Sequence, residues 1–381
     1  MTYDPIKLIE QIDSTTKNAR PKNVDISFNE LFDMFKSKEL IISPDFQRLF
    51  RWDEIKQSQF IESLILELPI PPIYVIEKEE GIYELIDGLQ RISSYFHFRG
   101  TKSKLDENTG DFLNYEEKQL TLTGCDILNN LNGLTHDNLP NAIRIKLKRH
   151  FIRMEVLRQE SNNKLKYHIF KRLNTGGELL SEQELRNCTI RLLDSTFINF
   201  LKAIVKENSY KNCMKGLTEE KQQQMYLEEC ALRFFAFKNY RQKYSKNIGD
   251  FLTKYMEVVS DKDAEEYEIF NYELEKSNFI STFGVLGQIL DEFPFSSFNE
   301  KGNSQGNFSI LIFEAITLGI QNHLLELQDL TGSKLKKLVT RLIDLKKDEQ
   351  FQKLTKGGGK NYLAALNNRI SYVDTWLSNN L

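Results

Sequence analysis

Apolar residues recur at helical spacing at Phe28, Leu31, Phe32 and Phe35, behind Ser27 as an N-cap and Glu30 as its capping-box partner. Leu40-Ile41-Ile42 reads as a short strand. Asp53 caps a second helix whose apolar stripe is Ile61, Leu64, Ile65 and Leu68, and Pro69, Pro71 and Pro72 stop it. Ile73-Tyr74-Val75-Ile76 and Ile82 to Ile86 predict two strands joined across Glu79-Glu80-Gly81. A helix follows from about Leu89 through Ile92, Tyr95 and Phe96. Residues 100–124 read as a long loop or hairpin, Pro140 to Arg149 as a basic helix and Phe151 to Leu157 as a strand. Lys166 to Leu173 reads as helical and ends in the turn Asn174-Thr175-Gly176-Gly177, before a capping box of Ser181 and Glu184.

Strand signals fade after residue 189. Helical spacing then dominates, as in Phe197, Phe200, Leu201 and Ile204, or Leu335, Leu338, Val339 and Leu342. Breaks between helices are expected at Phe298 to Phe308 and at Lys356 to Lys360. The pattern divides the chain into a polar arm over 1–25, an α+β domain over 26–190 and an all-α region over 191–381.

Composition narrows the picture only in part. The 381 residues carry a formal net charge of -3, so no global basic signal marks a nucleic-acid binder. Charge is uneven, however: Arg144 to Arg172 holds ten Lys/Arg against Glu155 and Glu160. Lys146, Lys148, Arg149 and Arg153 are the candidate DNA contacts in that run, and a solvated face is the plainer reading. Cys125, Cys188, Cys213 and Cys230 form no CxxC pair and have no clustered histidines, which argues against zinc. The polar start Met1 to Pro5 and the lack of a long apolar run lead to the expectation of a cytoplasmic protein with no membrane contact.

The chemistry concentrates in three segments. Asp87-Gly88-Leu89-Gln90-Arg91 places an acid, a glycine, an amide and a guanidinium at a strand–helix junction, where backbone N–H groups and a helix dipole converge. Arg91 offers a fork that fits phosphate oxygens, and Asp87 is suited to Mg²⁺, to a ribose or base donor, or to orienting water. Gln47-Arg48 with Trp52, and Asn174, Thr175, Gly176 and Gly177, supply further forked or small polar groups at turns. Together they outline a nucleoside-triphosphate site with Asp87, Gln90 and Arg91 as the catalytic candidates. The plainer readings are an Asp87–Arg91 ion pair, core packing for Trp52 and a helix C-cap at Asn174–Gly177. No Walker A signature is present.

At these residues the chain resembles the GmrSD-type N-terminal domain family of the ParB/sulfiredoxin-like superfamily. Gln47-Arg48 followed by Phe50-Arg51-Trp52 matches the family's Q-R and aromatic-Trp element. Asp87, Gly88, Gln90 and Arg91 match its D-G-Q-Q-R box, and Phe170, Asn174, Gly177 and Leu180 match its third element. Ile70 to Arg91 also resembles the ParB nucleotide-binding core. The resemblance implies an NTP-binding regulator, with or without hydrolysis, in defence against foreign DNA. It also implies a Mg²⁺ cofactor, and nucleotide, DNA and a separate nuclease subunit as partners, with an oligomer compatible.

Leu89 stands where the family has glutamine, a change that would weaken hydrolysis or alter nucleotide choice while leaving binding intact. None of His97, His136, His150, His168 and His323 lies in a nuclease-type metal element, so cleavage is expected of a partner. Two other classes remain open. One is a DNA-binding or adaptor module that uses the pocket only as a nucleotide switch. The other is an interaction partner acting through the helical region.

Overall fold

The computed structural model describes residues 5–7, 9, 22–42, 50, 52–100, 102–104, 114–116, 119–157, 181–191, 193–218, 221, 225–264, 266–290, 294–298 and 304–381. The chain forms two compact units, Met1–Glu178 and Leu179–Leu381. The fold is α+β, with a mixed sheet in the first unit and mostly helices in the second.

In the first unit the sheet contains β1 (Lys22–Ser27), β2 (Leu40–Ile41), β3 (Ile73–Glu79), β4 (Ile82–Asp87) and β7 (Phe151–Leu157), in the spatial order β1-β7-β3-β4-β2. β1 runs antiparallel to β7, β7 parallel to β3, β3 antiparallel to β4 and β4 parallel to β2. β5 (Lys102–Lys104) and β6 (Asn114–Glu116) pair as a separate hairpin. Lys22–Ser27, expected to lie largely in the polar arm, instead form an edge strand. Asn23, Asp25 and Ser27 alternate with Val24 and Ile26, and Ile26 is buried.

Four helices complete the described part of this unit: α1 (Phe28–Lys36), α2 (Glu54–Ile65), α3 (Leu89–Phe98) and α4 (Asn141–Arg149). Ser27 caps α1 by accepting from the Glu30 N–H, and Asp53 caps α2 by accepting from the Lys56 N–H at 2.8 Å. Phe28 of α1 sits 4.8 Å from Tyr95 of α3 and 6.2 Å from Phe60 of α2, so one aromatic cluster joins the three helices. α2 stops earlier than its prolines predict. Leu66 caps its end and Glu67 takes a left-handed φ of 56°, so Leu68 leaves the apolar stripe and lies exposed.

The second unit contains α5 (Glu182–Ile190), α6 (Thr196–Ile204), α7 (Asn208–Cys213), α8 (Tyr226–Asn239), α9 (Ile248–Ser260), α10 (Tyr272–Ile289), α11 (Ile310–Gly319), α12 (Leu324–Gln328), α13 (Gly332–Lys347), α14 (Glu349–Thr355) and α15 (Leu363–Ser378). The Ser181–Glu184 capping box forms at α5 with both of its hydrogen bonds. The expected break at Phe298 to Phe308 contains a small hairpin, β8 (Ser296–Phe298) with β9 (Ser304–Phe308). Ile310–Gln328 is long and apolar enough to cross a membrane by length and composition, against the expectation that the chain has no such run. Its apolar residues Ile312, Phe313, Ile316, Leu324 and Leu327 are buried in the unit.

A chain of buried charges crosses this helical core. Arg186 of α5 meets Glu229 of α8 at 3.1 Å, and Glu229 meets Arg233 at 2.9 Å. Arg233 then meets Glu314 of α11 at 3.0 Å, and Glu314 also pairs with Arg369 of α15. Burial alone would raise the Glu229 carboxyl, but Arg233 and Arg186 outweigh it and hold the group below its usual range.

Removing one member strands its partners in the interior. Glu314→Leu leaves Arg233 and Arg369 facing each other and is expected to lower stability by about 3–5 kcal/mol in urea unfolding. The Glu229 contribution is present above the ordinary glutamate range and is lost as pH falls through its depressed folded value. In Glu229→Gln the acid limb of the stability–pH curve is therefore expected to flatten.

Candidate functional site

β4 ends at Asp87 and the chain turns directly into α3. The turn is made by Gly88 at a φ of 103°. A Cβ there would lie 2.5 Å from Ile73 Cγ2, so both the backbone angle and the space demand glycine. Leu89, the departure in the box, is buried at the first position of the helix.

Arg91 lies one turn into α3 and folds back over the junction. Its Nη2 donates to Asp87 Oδ2 and to the Pro72 carbonyl, each at 3.1 Å. The Asp87–Arg91 ion pair considered from the sequence is therefore real. It engages one terminal nitrogen of the guanidinium and leaves Nε, a buried donor, without a hydrogen-bond partner. The Arg91 side chain is only 18% exposed and that of Asp87 33%.

Gln90 points the other way. Its Oε1 accepts from the Trp52 N–H at 3.1 Å, while the Trp52 carbonyl accepts from Gln57 Nε2 at 2.7 Å. Gln57 Oε1 in turn meets His97 Nδ1 at 2.8 Å. Because the Gln57 amide nitrogen donates to Trp52, its oxygen must accept, which places the proton on His97 Nδ1. Two amides thus hold the backbone of Trp52 against the box helix, and its indole packs on Phe60 at 5.8 Å. The structure brings together Trp52, Asp87, Gly88, Gln90 and Arg91. Gln47, Arg48, Asn174, Thr175, Gly176, Gly177 and the stretch Lys166 to Leu173, expected to be helical, lie outside the described residues.

Three residues that the sequence does not mark as site candidates, Gln57, Tyr74 and Glu155, belong to this neighbourhood. Gln57 holds Trp52, as described. Strand register aligns Asp87 with Tyr74, Tyr74 with Glu155 and Glu155 with Asn23, so these four form one row on the same face of the sheet. The Tyr74 phenol is raised by burial, then by the Glu155 and Asp87 carboxylates, with Arg91 opposing. Polar residues at alternating positions within apolar strands were the available signal, but the register that aligns them is a tertiary property.

The basic candidates lie on α4 and on β7, where Arg153 shares the sheet face of Glu155 two residues on. Lys146, Lys148 and Arg149 lie exposed on α4, where Lys146 pairs with Glu67 at 3.3 Å. Arg153 lies on β7 and pairs with Asp25 at 3.3 Å, on the same face as Phe151, which is 64% exposed. Among the described residues no group of three or more His, Cys, Asp or Glu side chains is arranged to hold a metal ion.

Residues 28–191 match the family model described as GmrSD restriction endonuclease, N-terminal domain, so this stretch is similar to that domain, which points to a role related to restriction and defence. The match takes in the whole β4–α3 junction and extends through α5. No curated protein and no solved structure matches the chain.

In a Trp376→Phe background Trp52 is the sole tryptophan. Gln57→Leu is expected to shift its emission to longer wavelength and to cost about 1–3 kcal/mol, because the Trp52 carbonyl and His97 both lose a partner. Gly88→Ala is expected to cost at least about 1–3 kcal/mol in chemical denaturation, through the left-handed φ and the clash with Ile73.

Proposed function

We propose that residues 28–191 bind a nucleoside triphosphate at the β4–Gly88–α3 junction and act as the sensing or regulatory part of a restriction-type defence system, with cleavage carried by a separate nuclease. The observation that carries this reading is Arg91. A mostly buried guanidinium is held over a helix N-terminus by one nitrogen, and its Nε–H has no acceptor among the described residues. A phosphate oxygen is the acceptor that this donor and the first-turn N–H groups of α3 suit best.

Asp87 is the residue suited to a Mg²⁺ ion that arrives with the nucleotide. Such an ion keeps several waters and takes one or two carboxylates plus phosphate oxygens, so a preformed protein cage is not needed. Its chemistry would be to offset phosphate charge. Gln90 acts as a strut, since its side-chain oxygen is held by Trp52. The buried Leu89 supplies no polar group to the reaction, which favours binding and switching over fast turnover.

A second reading draws on Phe151 and Arg153, which share an exposed face next in sequence to Lys148 and Arg149. That combination of an aromatic ring and cations suits a nucleic-acid strand.

Calorimetry with the four NTPs and Mg²⁺ tests the first reading. Arg91→Ala is expected to weaken the tightest binder roughly tenfold to a hundredfold, the size of a lost charge-assisted hydrogen bond. Failure of the wild-type chain to bind any of the four would end the proposal. For the second reading, DNA affinity is expected to fall steeply with salt, and less steeply in Lys148→Ala/Arg149→Ala.

A further inference from the structure

Asp87, Tyr74 and Glu155 of the polar row are half-buried, and among the described residues only Asp87 of these has a hydrogen-bond or ion-pair partner. Neither the Glu155 carboxylate nor the Tyr74 hydroxyl makes a hydrogen bond or ion pair with any described residue. Nearby polar groups on the same sheet are satisfied differently. Arg153 closes on Asp25 at 3.3 Å, and Lys78 closes on Glu84 at 3.0 Å. Half-buried acceptors are ordinarily satisfied by protein, water or ligand.

The row begins at the candidate phosphate position and leads away from it. Adjacent strands lie about 4.8 Å apart, so Glu155 stands two strand spacings, roughly 10 Å, from Asp87 along a straight line. Acceptors strung along a line do not converge on one ion, as a shared metal would require. They suit an elongated ligand that carries hydrogen-bond donors at the end far from its phosphates.

We propose that Tyr74 and Glu155 form the nucleoside subsite, with the Glu155 carboxylate accepting from O–H or N–H donors of the sugar or base. The proposal rests on the nucleotide reading above. It adds the residues that tell a nucleotide from a bare polyphosphate. A carboxylate is a strong acceptor for a ribose diol or for an amino group on a base edge, and a site built around such a contact rejects ligands that lack the donor.

The experiment compares inorganic tripolyphosphate with the four NTPs and their 2′-deoxy counterparts by calorimetry, on wild type, Glu155→Gln and Tyr74→Phe. Both substitutions preserve shape, and unchanged thermal unfolding verifies the fold. Wild type is expected to bind its preferred NTP at least tenfold more tightly than tripolyphosphate. Glu155→Gln is expected to erase most of that margin while tripolyphosphate affinity stays equal or rises slightly. Loss of the margin with the 2′-deoxy nucleotide in wild type assigns the donor to the ribose. Retention of the margin there, with preference for one base, assigns it to the base. Wild type that binds neither ligand overturns the nucleotide reading itself. Wild type that binds both equally, or variants that keep the full margin or lose affinity for both ligands in parallel, overturn the subsite alone.

Discussion

The N-terminal unit depends on one backbone constraint, the turn at Gly88 where β4 becomes α3. Ile73 fills the space where a side chain would stand, and the left-handed φ of 103° sets the direction in which α3 leaves the sheet. That direction does three things at once. It aims the first turn of α3 at the end of β4, brings Arg91 back over Asp87 and the Pro72 carbonyl, and leaves Gln90 on the side where Trp52 waits. Burial of Ile92, Tyr95 and Phe96 then anchors the helix against the aromatic cluster of α1 and α2. A site assembled this way would inherit its precision from packing, because Asp87, Gly88 and Arg91 sit on elements whose opposite faces are core.

The two units solve the problem of buried polarity differently. In the helical unit three arginines and two glutamates alternate from α5 to α15, so almost every charge finds an opposite neighbour. Such a chain does little for net stability compared with an apolar core, but it penalises any packing in which the charges fail to meet. At the Gly88 junction the accounting is left open: the Arg91 Nε–H, the Glu155 carboxylate and the Tyr74 hydroxyl lack protein partners. A buried donor is left open in both units, since Arg369 Nε in the charge chain also has no partner, so it is the run of open acceptors on the row beside Arg91 that sets the junction apart as a place where something else binds.

Much of this was legible in the residues. Ser27, Asp53 and Ser181 announced three helix starts because capping is a local interaction between a short side chain and a nearby N–H. The strands over Ile73–Glu79, Ile82–Asp87 and Phe151–Leu157 followed from apolar runs bounded by turn residues. The edge strand Lys22–Ser27 was missed because its charged outer positions masked the alternation and its pairing partner lies far along the chain. The early end of α2 was missed because Glu67 takes a left-handed angle usually left to glycine or asparagine. In the site, Asp87, Gly88 and Arg91 stood out by type and spacing, but Gln57, Tyr74 and Glu155 depend on tertiary contacts and register.

Electrostatics also fix the orientation of any ligand on this face. Arg91, the helix N-terminus and the turn at Gly88 make one end of the row attractive to anions, while Glu155 at the other end repels them. Asp87 lies between, paired with Arg91 on one side and aligned with Tyr74 on the other. A uniformly anionic strand laid along the row would meet repulsion at Glu155. A molecule with phosphates at one end and neutral donors at the other would meet complementary groups along its whole length. The charge order of the row therefore favours the proposed mononucleotide over a strand at this junction, while Phe151 and Arg153, which share the sheet face of Glu155 nearer the start of β7, would carry the strand of the alternative reading.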